Sequence, residues 1–163
     1  MFTPDLLKKA ETLLQALREK NMKLTTAESC TGGLVSALLT EIPGSSDVFT
    51  HGYVTYANVA KTSMLGVPAD LIAWHGAVSA QVALAMAQGA LKTSGADIAV
   101  AITGIAGPGG ATEGKPVGLV HIACARVGVT PIQSRHEFKG TRAEVRLQAL
   151  AKALELVAQQ LTR

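Results

Sequence analysis

"ADIAVAIT", residues 96–103, is apolar at every position from Ile98 to Ile102. A strand with one face in water alternates apolar and polar residues. This run does not, so it reads as a strand buried on both faces, as in parallel sheets covered by helices. The segment before it fits that reading: Ser79 can cap a long helix whose apolar side carries Val82, Ala83, Met86, Ala90 and Leu91. After the strand comes a Gly/Pro-rich loop, "GIAGPGGATEGKPVG", at residues 104–118.

Working outward, residues 23–28 read as a short strand and "DVFTHGYVTY" (47–56), β-branched and aromatic, as another. "TGGLVSALLTEIPG" (31–44) reads as a helix stopped by Pro43-Gly44. "NVAKTSMLGV" (58–67) reads as a helix capped by Asn58 and ended by Gly66. Thr3-Pro4 reads as the start of a helix with Leu6, Leu7, Ala10, Leu13, Leu14 and Leu17 on one face. "LVHIACARV" (119–127) and "IQSRHEF" (132–138) form a hairpin around "GVTP" (128–131). Residues 141–144 are a capping box opening a last helix with Leu147, Leu150, Leu154, Val157 and Leu161. Strands alternating with helices predict an α/β fold, a mostly parallel sheet covered on both faces. Right-handed crossovers place the carboxyl ends of its parallel strands on one rim, where ligands bind. That rim gathers residues 29–33, 56–61 and 103–110, and residues 139–142 if the hairpin returns to it.

The 163 residues suit one domain, 1–163. With 48% hydrophobic but only 4% aromatic residues, Ala, Val, Leu and Ile must build the core. The net charge of +3 is spread out, without a basic run or basic-aromatic interleaving, so direct nucleic-acid binding is not expected. Cys30 and Cys124 make neither a disulfide framework nor a zinc motif, and His51, His75, His121 and His136 are scattered, so no metal site is expected. With no signal-like N-terminus and no membrane-length run, a cytoplasmic protein with reduced thiols is expected.

On the rim, Ser29 is a candidate nucleophile, although Ser29 or Thr31 could equally cap the next helix. N–H groups near Thr31, Gly32 and Gly33 could receive an oxyanion. Cys30 ranks below Ser29, since a lone cysteine is usually packed in a core. Lys61, in the first turn of its helix, would have its pKa lowered and could act as a base, with Tyr56 relaying or orienting a proton. The glycine loop matches neither a Walker A nor a G-x-G-x-x-G motif, yet its N–H groups could cradle a phosphate with help from Arg142.

"TAESCTGG", "GSS", "YANVAK", "GVP", "HGAVS", "VAITGIAGPGG", "KPVG" and "FKGTR" occur in this order and resemble the CinA C-terminal domain family from Lys23 onward. That family includes stand-alone nicotinamide mononucleotide amidohydrolases, which convert the nucleotide to nicotinate mononucleotide and ammonia. The resemblance implies a three-layer α/β/α sandwich with a mixed, mostly parallel five-stranded sheet. It implies serine–lysine chemistry at Ser29, Tyr56 and Lys61, without cofactor, and a pyridine nucleotide ligand. It places further binding residues at Thr103, Gly104, Gly107, Gly109 and Gly110. Relatives often carry serine where this chain has Ala57. Two other functions stay open, a non-catalytic nucleotide sensor and a competence or damage-inducible partner protein, and so does homo-oligomerisation.

Overall fold

The computed structural model describes residues 2–163. In chain order the elements are α1 (Pro4–Glu19), β1 (Leu24–Glu28), α2 (Leu34–Thr40), β2 (Phe49–Val54), α3 (Asn58–Leu65), α4 (Ala69–His75), α5 (Ala80–Ser94), β3 (Ile98–Gly104), β4 (Leu119–Arg126), β5 (Val129–Glu137) and α6 (Arg142–Leu161). They form one five-stranded sheet in the order β2-β1-β3-β4-β5. β2, β1 and β3 are mutually parallel, and β4 runs against both β3 and β5. β5 therefore ends on the same rim as the parallel strands.

Alternate residues of β3 face the two helical layers. Ile98, Val100 and Ile102 pack with Leu24, Val120 and Ile122 against α1, α2 and α6. Ala99 and Ala101 pack with Ala27, Ala123 and Ala125 against α5 and the residues around α3 and α4. The small side chains on the second face let α5 lie close to the sheet, so little aromatic bulk is needed. The result is the expected three-layer α/β/α sandwich.

The expected caps at Thr3, Ser79 and Thr141 form, the last as a full capping box with Glu144. Others differ. α3 is capped by Ala57, with Asn58 as its first helical residue, so its start has no side-chain cap. A serine at position 57 would have supplied one, worth about 1 kcal/mol. α2 is shorter than the 31–44 expectation, and its cap is Gly33 in a left-handed conformation (φ 93°) rather than Ser29 or Thr31. Residues 129–131, read as turn, belong to β5, where Pro131 lies beside a bulge on the sheet edge and costs no essential ladder bond. Among the described residues no helix is long and apolar enough to cross a membrane.

Candidate active site

β1 ends at Glu28 and the chain turns at Ser29, whose N–H still donates to Ile102 of β3. Glu28 organises the turn and the helix start beyond it. Its carboxylate is fully buried and accepts from the N–H groups of Gly33 (3.0 Å), Val35 (3.1 Å) and Ser36 (2.9 Å). It also accepts the Ser36 hydroxyl at 2.8 Å. The carboxylate thus does the capping that Gly33 cannot, and it places a negative charge at the positive end of α2. Glu28→Ala would strand the buried Val35 N–H and the part-buried N–H groups of Gly33 and Ser36, and a loss of about 3–5 kcal/mol is expected, as for other broken buried charge networks. Thermal unfolding measures it, and an unchanged Tm would refute the capping role.

The bond from Glu28 also narrows the expected oxyanion donors. Gly33 N–H is taken by Glu28 and Gly32 N–H donates to Ser29 O. Neither is free to meet a ligand. Cys30 N–H faces only its own sulfur, and Thr31 N–H has no acceptor among the described residues. These two N–H groups, directly after Ser29, are the ones left over. From the far side, Arg146 of α6 donates to the carbonyls of Cys30 (3.1 Å) and Thr31 (2.7 Å) and braces the turn.

Lys61, on the first turn of α3, is only 1% exposed. Its Nζ donates to the carbonyls of Thr55 (2.9 Å) and Tyr56 (3.2 Å) and stands 3.2 Å from Ser29 Oγ. Burial lowers its pKa below the ordinary lysine value. The direction matches the sequence expectation, but the principal cause is desolvation. In the neutral amine two hydrogens satisfy the two carbonyls, which directs the lone pair at the Ser29 hydroxyl. Burial pushes the neighbouring Cys30 thiol up to about 11, so it stays protonated near neutrality.

Ser29, Tyr56, Lys61, Thr103, Gly104, Gly107, Gly109, Gly110 and Arg142 all line one cleft of about 260 Å³. Thr31, Gly32 and Gly33 do not line it; they form the turn behind Ser29. Cys30, Asn58, Ala77, Val78, Ile105 and Ala106 complete the walls, and among the described residues no carboxylate does. Tyr56 is 61% exposed, and its hydroxyl accepts from Arg142 Nη2 at 3.1 Å. Its carbonyl, not its hydroxyl, reaches Lys61, which differs from the expected proton relay. Arg142 Nη1 also donates to Gly107 O at 2.8 Å, so this side chain ties the glycine loop to the Tyr56 side of the cleft. The Thr103 hydroxyl is spent on Ala77 O, fixing the segment that enters α5. Gly104 has to be glycine, because a Cβ there would stand 2.7 Å from Val120 Cγ2 and 2.8 Å from Leu119 O. Among the described residues no cluster of His, Cys, Asp or Glu could hold a metal ion.

Glu28 and Arg146 had escaped sequence reading, although each left a trace. Glu28 is a lone charge at the end of the strand "LTTAE" just before a glycine-started helix. Arg146 stands four residues after Arg142 and thus on the same helical face.

Comparison with known proteins places the chain among its relatives. A protein from Escherichia coli (strain K12) named nicotinamide-nucleotide amidohydrolase PncC is 49% identical over 160 residues, covering 98% of this chain and 97% of that protein. A competence-damage inducible protein from Symbiobacterium thermophilum is 61% identical over 122 residues, 72% of this chain, but the match spans only 29% of that longer protein. The crystal structure of competence/damage inducible protein CihA from Agrobacterium tumefaciens superposes with a TM-score of 0.96 at 44% identity, covering 100% of this chain and 99% of that one. The model of the CinA C-terminal domain matches residues 6–161, and the chain belongs to that family.

Proposed function

We propose that the protein is a nicotinamide-nucleotide amidohydrolase, cleaving the carboxamide of nicotinamide mononucleotide through an acyl-enzyme on Ser29. The observation that carries the mechanism is the buried Lys61 amine, with two carbonyls as acceptors and Ser29 Oγ at 3.2 Å. The substrate is inferred from the likeness to the E. coli amidohydrolase over nearly its whole length.

Neutral Lys61 takes the hydroxyl proton as Ser29 Oγ attacks the carboxamide carbon, and the carbonyl oxygen becomes an oxyanion near the N–H group of Cys30, the unbonded one of the turn whose residue lines the cleft. Collapse of the adduct expels ammonia, which leaves with the proton returned by Lys61. Water then attacks the ester, giving a proton to Lys61 that passes to Ser29 Oγ, and nicotinate mononucleotide departs. Tyr56 orients Lys61 through its carbonyl and Arg142 through its hydroxyl.

The phosphate belongs at the other end of the cleft. Arg142 uses two of its five N–H donors internally and keeps the rest. The N–H groups of Ala106, Gly107, Gly109 and Gly110 have no acceptor among the described residues. Ala77, Val78 and Ile105 add apolar wall to the same cleft. Free nicotinamide should therefore turn over far more slowly than the nucleotide, because remote binding energy positions the amide. Losing a charge-assisted contact in Arg142→Ala should raise KM by about 10- to 100-fold. An ammonia-release assay on both substrates tests this. Equal kcat/KM for nucleotide and free base would contradict the phosphate end, and tight binding of the nucleotide without ammonia release would favour a sensor.

A further inference from the structure

β2 is one edge of the sheet and β5 is the other. The two edges are built differently. β5 carries Pro131, Arg135 and Glu137, the kind of residues that keep a strand edge from pairing further. β2, "FTHGYV", has no proline and no Lys, Arg, Asp or Glu. One bond shows which of its residues look outward. Thr55 N–H donates to Glu28 O of β1. Alternate residues of a strand turn their backbone polar groups to opposite sides, so His51 and Tyr53 also face β1, while Gly52 and Val54 face away from it. Both are exposed, and among the described residues no turn, loop or cap bond reaches their backbone groups.

The chain that continues from this edge is poor in charge. From Val48 to His75 its only Lys, Arg, Asp or Glu residues are Asp70 and Lys61, and Lys61 is buried. Five of the six large hydrophobic side chains exposed among the described residues fall in this stretch: Val54, Tyr56, Val59, Met64 and Trp74. Tyr56 belongs to the cleft, and the other four have no part in its chemistry. Exposed apolar groups with few charges between them mark the centre of a protein–protein contact.

We propose that β2 pairs antiparallel with β2 of a second copy of this chain, about a two-fold axis at Gly52, joining two five-stranded sheets into one. A second copy is the occupant because the edge is complementary to itself. Gly52 facing Gly52 of the other copy exchanges both backbone bonds, and Val54 faces Thr50 of that copy. His51 then stands opposite Tyr53 of the other copy, in the closer, non-hydrogen-bonded pairs. Within one chain these two rings are already stacked, with centroids 6.0 Å apart and planes 4° from parallel. Pairing extends the stack into a ladder of four rings. An isologous contact presents every residue twice, so a charge on the edge would be desolvated twice, and β2 carries none. The axis is bare of side chain because α2 demands glycine there: a Cβ on Gly52 would stand 2.5 Å from Ser36 Oγ.

Sedimentation equilibrium of the full chain over the micromolar range should give twice the 16.8 kDa of one chain. Val54→Lys introduces an edge ammonium at both ends of the contact and should raise the dimer Kd about 100-fold. Adding Thr50→Glu to Val54→Lys sets opposite charges across the axis and should recover most of that loss. Within one chain the two positions lie about 13 Å apart, too far to pair with each other. A second measurement uses milder substitutions. Thr50→Cys and Val54→Cys proteins, mixed and treated with oxidised glutathione, should form a disulfide between unlike chains, since facing residues lie about 5.5 Å apart at Cα. Neither variant alone should do so, and the native Cys30 and Cys124 are buried. A wild type that stays monomeric, a folded Val54→Lys protein that dimerises as tightly as wild type, or a folded double variant no tighter than Val54→Lys overturns the proposal. So does a mixture of the cysteine variants that forms no more disulfide-linked dimer than either alone. None of these readouts uses ammonia release, so they decide the contact whatever the substrate.

Discussion

Ser29→Ala is expected to lower kcat by about four to six orders of magnitude, the range seen when a nucleophile is deleted from an acyl-transfer enzyme. Cys30→Ala is expected to keep most of the activity. The two side chains are neighbours, so only their surroundings separate them. Ser29 Oγ has an amine 3.2 Å away that can accept its proton. The Cys30 sulfur is buried, its pKa is raised to about 11, and at neutral pH it is an unreactive thiol. Cys30→Ala should cost some stability, because a packed side chain is removed from the core, and that loss shows in Tm rather than in kcat. Ammonia release and nucleotide binding, measured together on folded variants, separate these effects. A Cys30→Ala protein that binds but does not turn over, beside an active Ser29→Ala, would reverse the assignment.

Lys61→Met should lose about two to four orders of magnitude in kcat, the usual contribution of a general base, and bind nucleotide nearly as well as wild type. Lys61→Arg should fail too, since a guanidinium stays protonated. The pH dependence has a definite sign. Burial lowers the Lys61 pKa, so the neutral amine, the form that accepts the serine proton, gains population as pH rises. Activity should climb through one ionisation lying below the ordinary lysine value, and that limb should be absent from the residual rate of Lys61→Met. Stability is linked to the same proton. The unfolded chain holds it more tightly than the folded one, so unfolding free energy contributed by this group increases with pH between the folded and unfolded pKa values. Below that interval Lys61→Met should be more stable than wild type, a combination of inactive and stabilised that a merely structural lysine would not give. Near-native kcat in Lys61→Met would remove the base from the mechanism.

Much of the cleft was legible in the sequence because α/β topology sends strand ends to one rim. Once residues 24–28 and 98–104 are parallel neighbours, Ser29 and Thr103 must be close. The hairpin brought Arg142 to the same place, although its turn was set too late at residues 128–131. α4 left little signal, because of its seven residues only Ile72 is buried and Trp74 lies in solvent. The capping of α2 was hidden for another reason. Local patterns look for the acceptor at the cap position, whereas here it arrives from Glu28, at the end of the preceding strand. Which N–H groups of residues 30–33 remain unbonded depends on that tertiary contact and on Ser29 O, so the sequence narrowed the oxyanion donors to a turn but not to particular atoms. The Tyr56 hydroxyl was misplaced similarly, since its partner Arg142 lies 86 positions away in the chain.

Arg142 and Arg146 are successive outward steps of one rigid helix, separated by a rise of about 6 Å. One meets the loop and tyrosine at the proposed phosphate end, and the other holds the turn beside Ser29. On the proposed reading α6 works as a yardstick between the two ends of the ligand. A displacement of its first turn shifts both ends together, so in the proposed reaction recognition of the distant anion and alignment of the reacting carbonyl would share one mechanical coordinate. Inserting or deleting one residue between positions 142 and 146 would rotate the two arginines apart by about 100°. The chain would keep every side chain the chemistry uses and lose the distance that relates them.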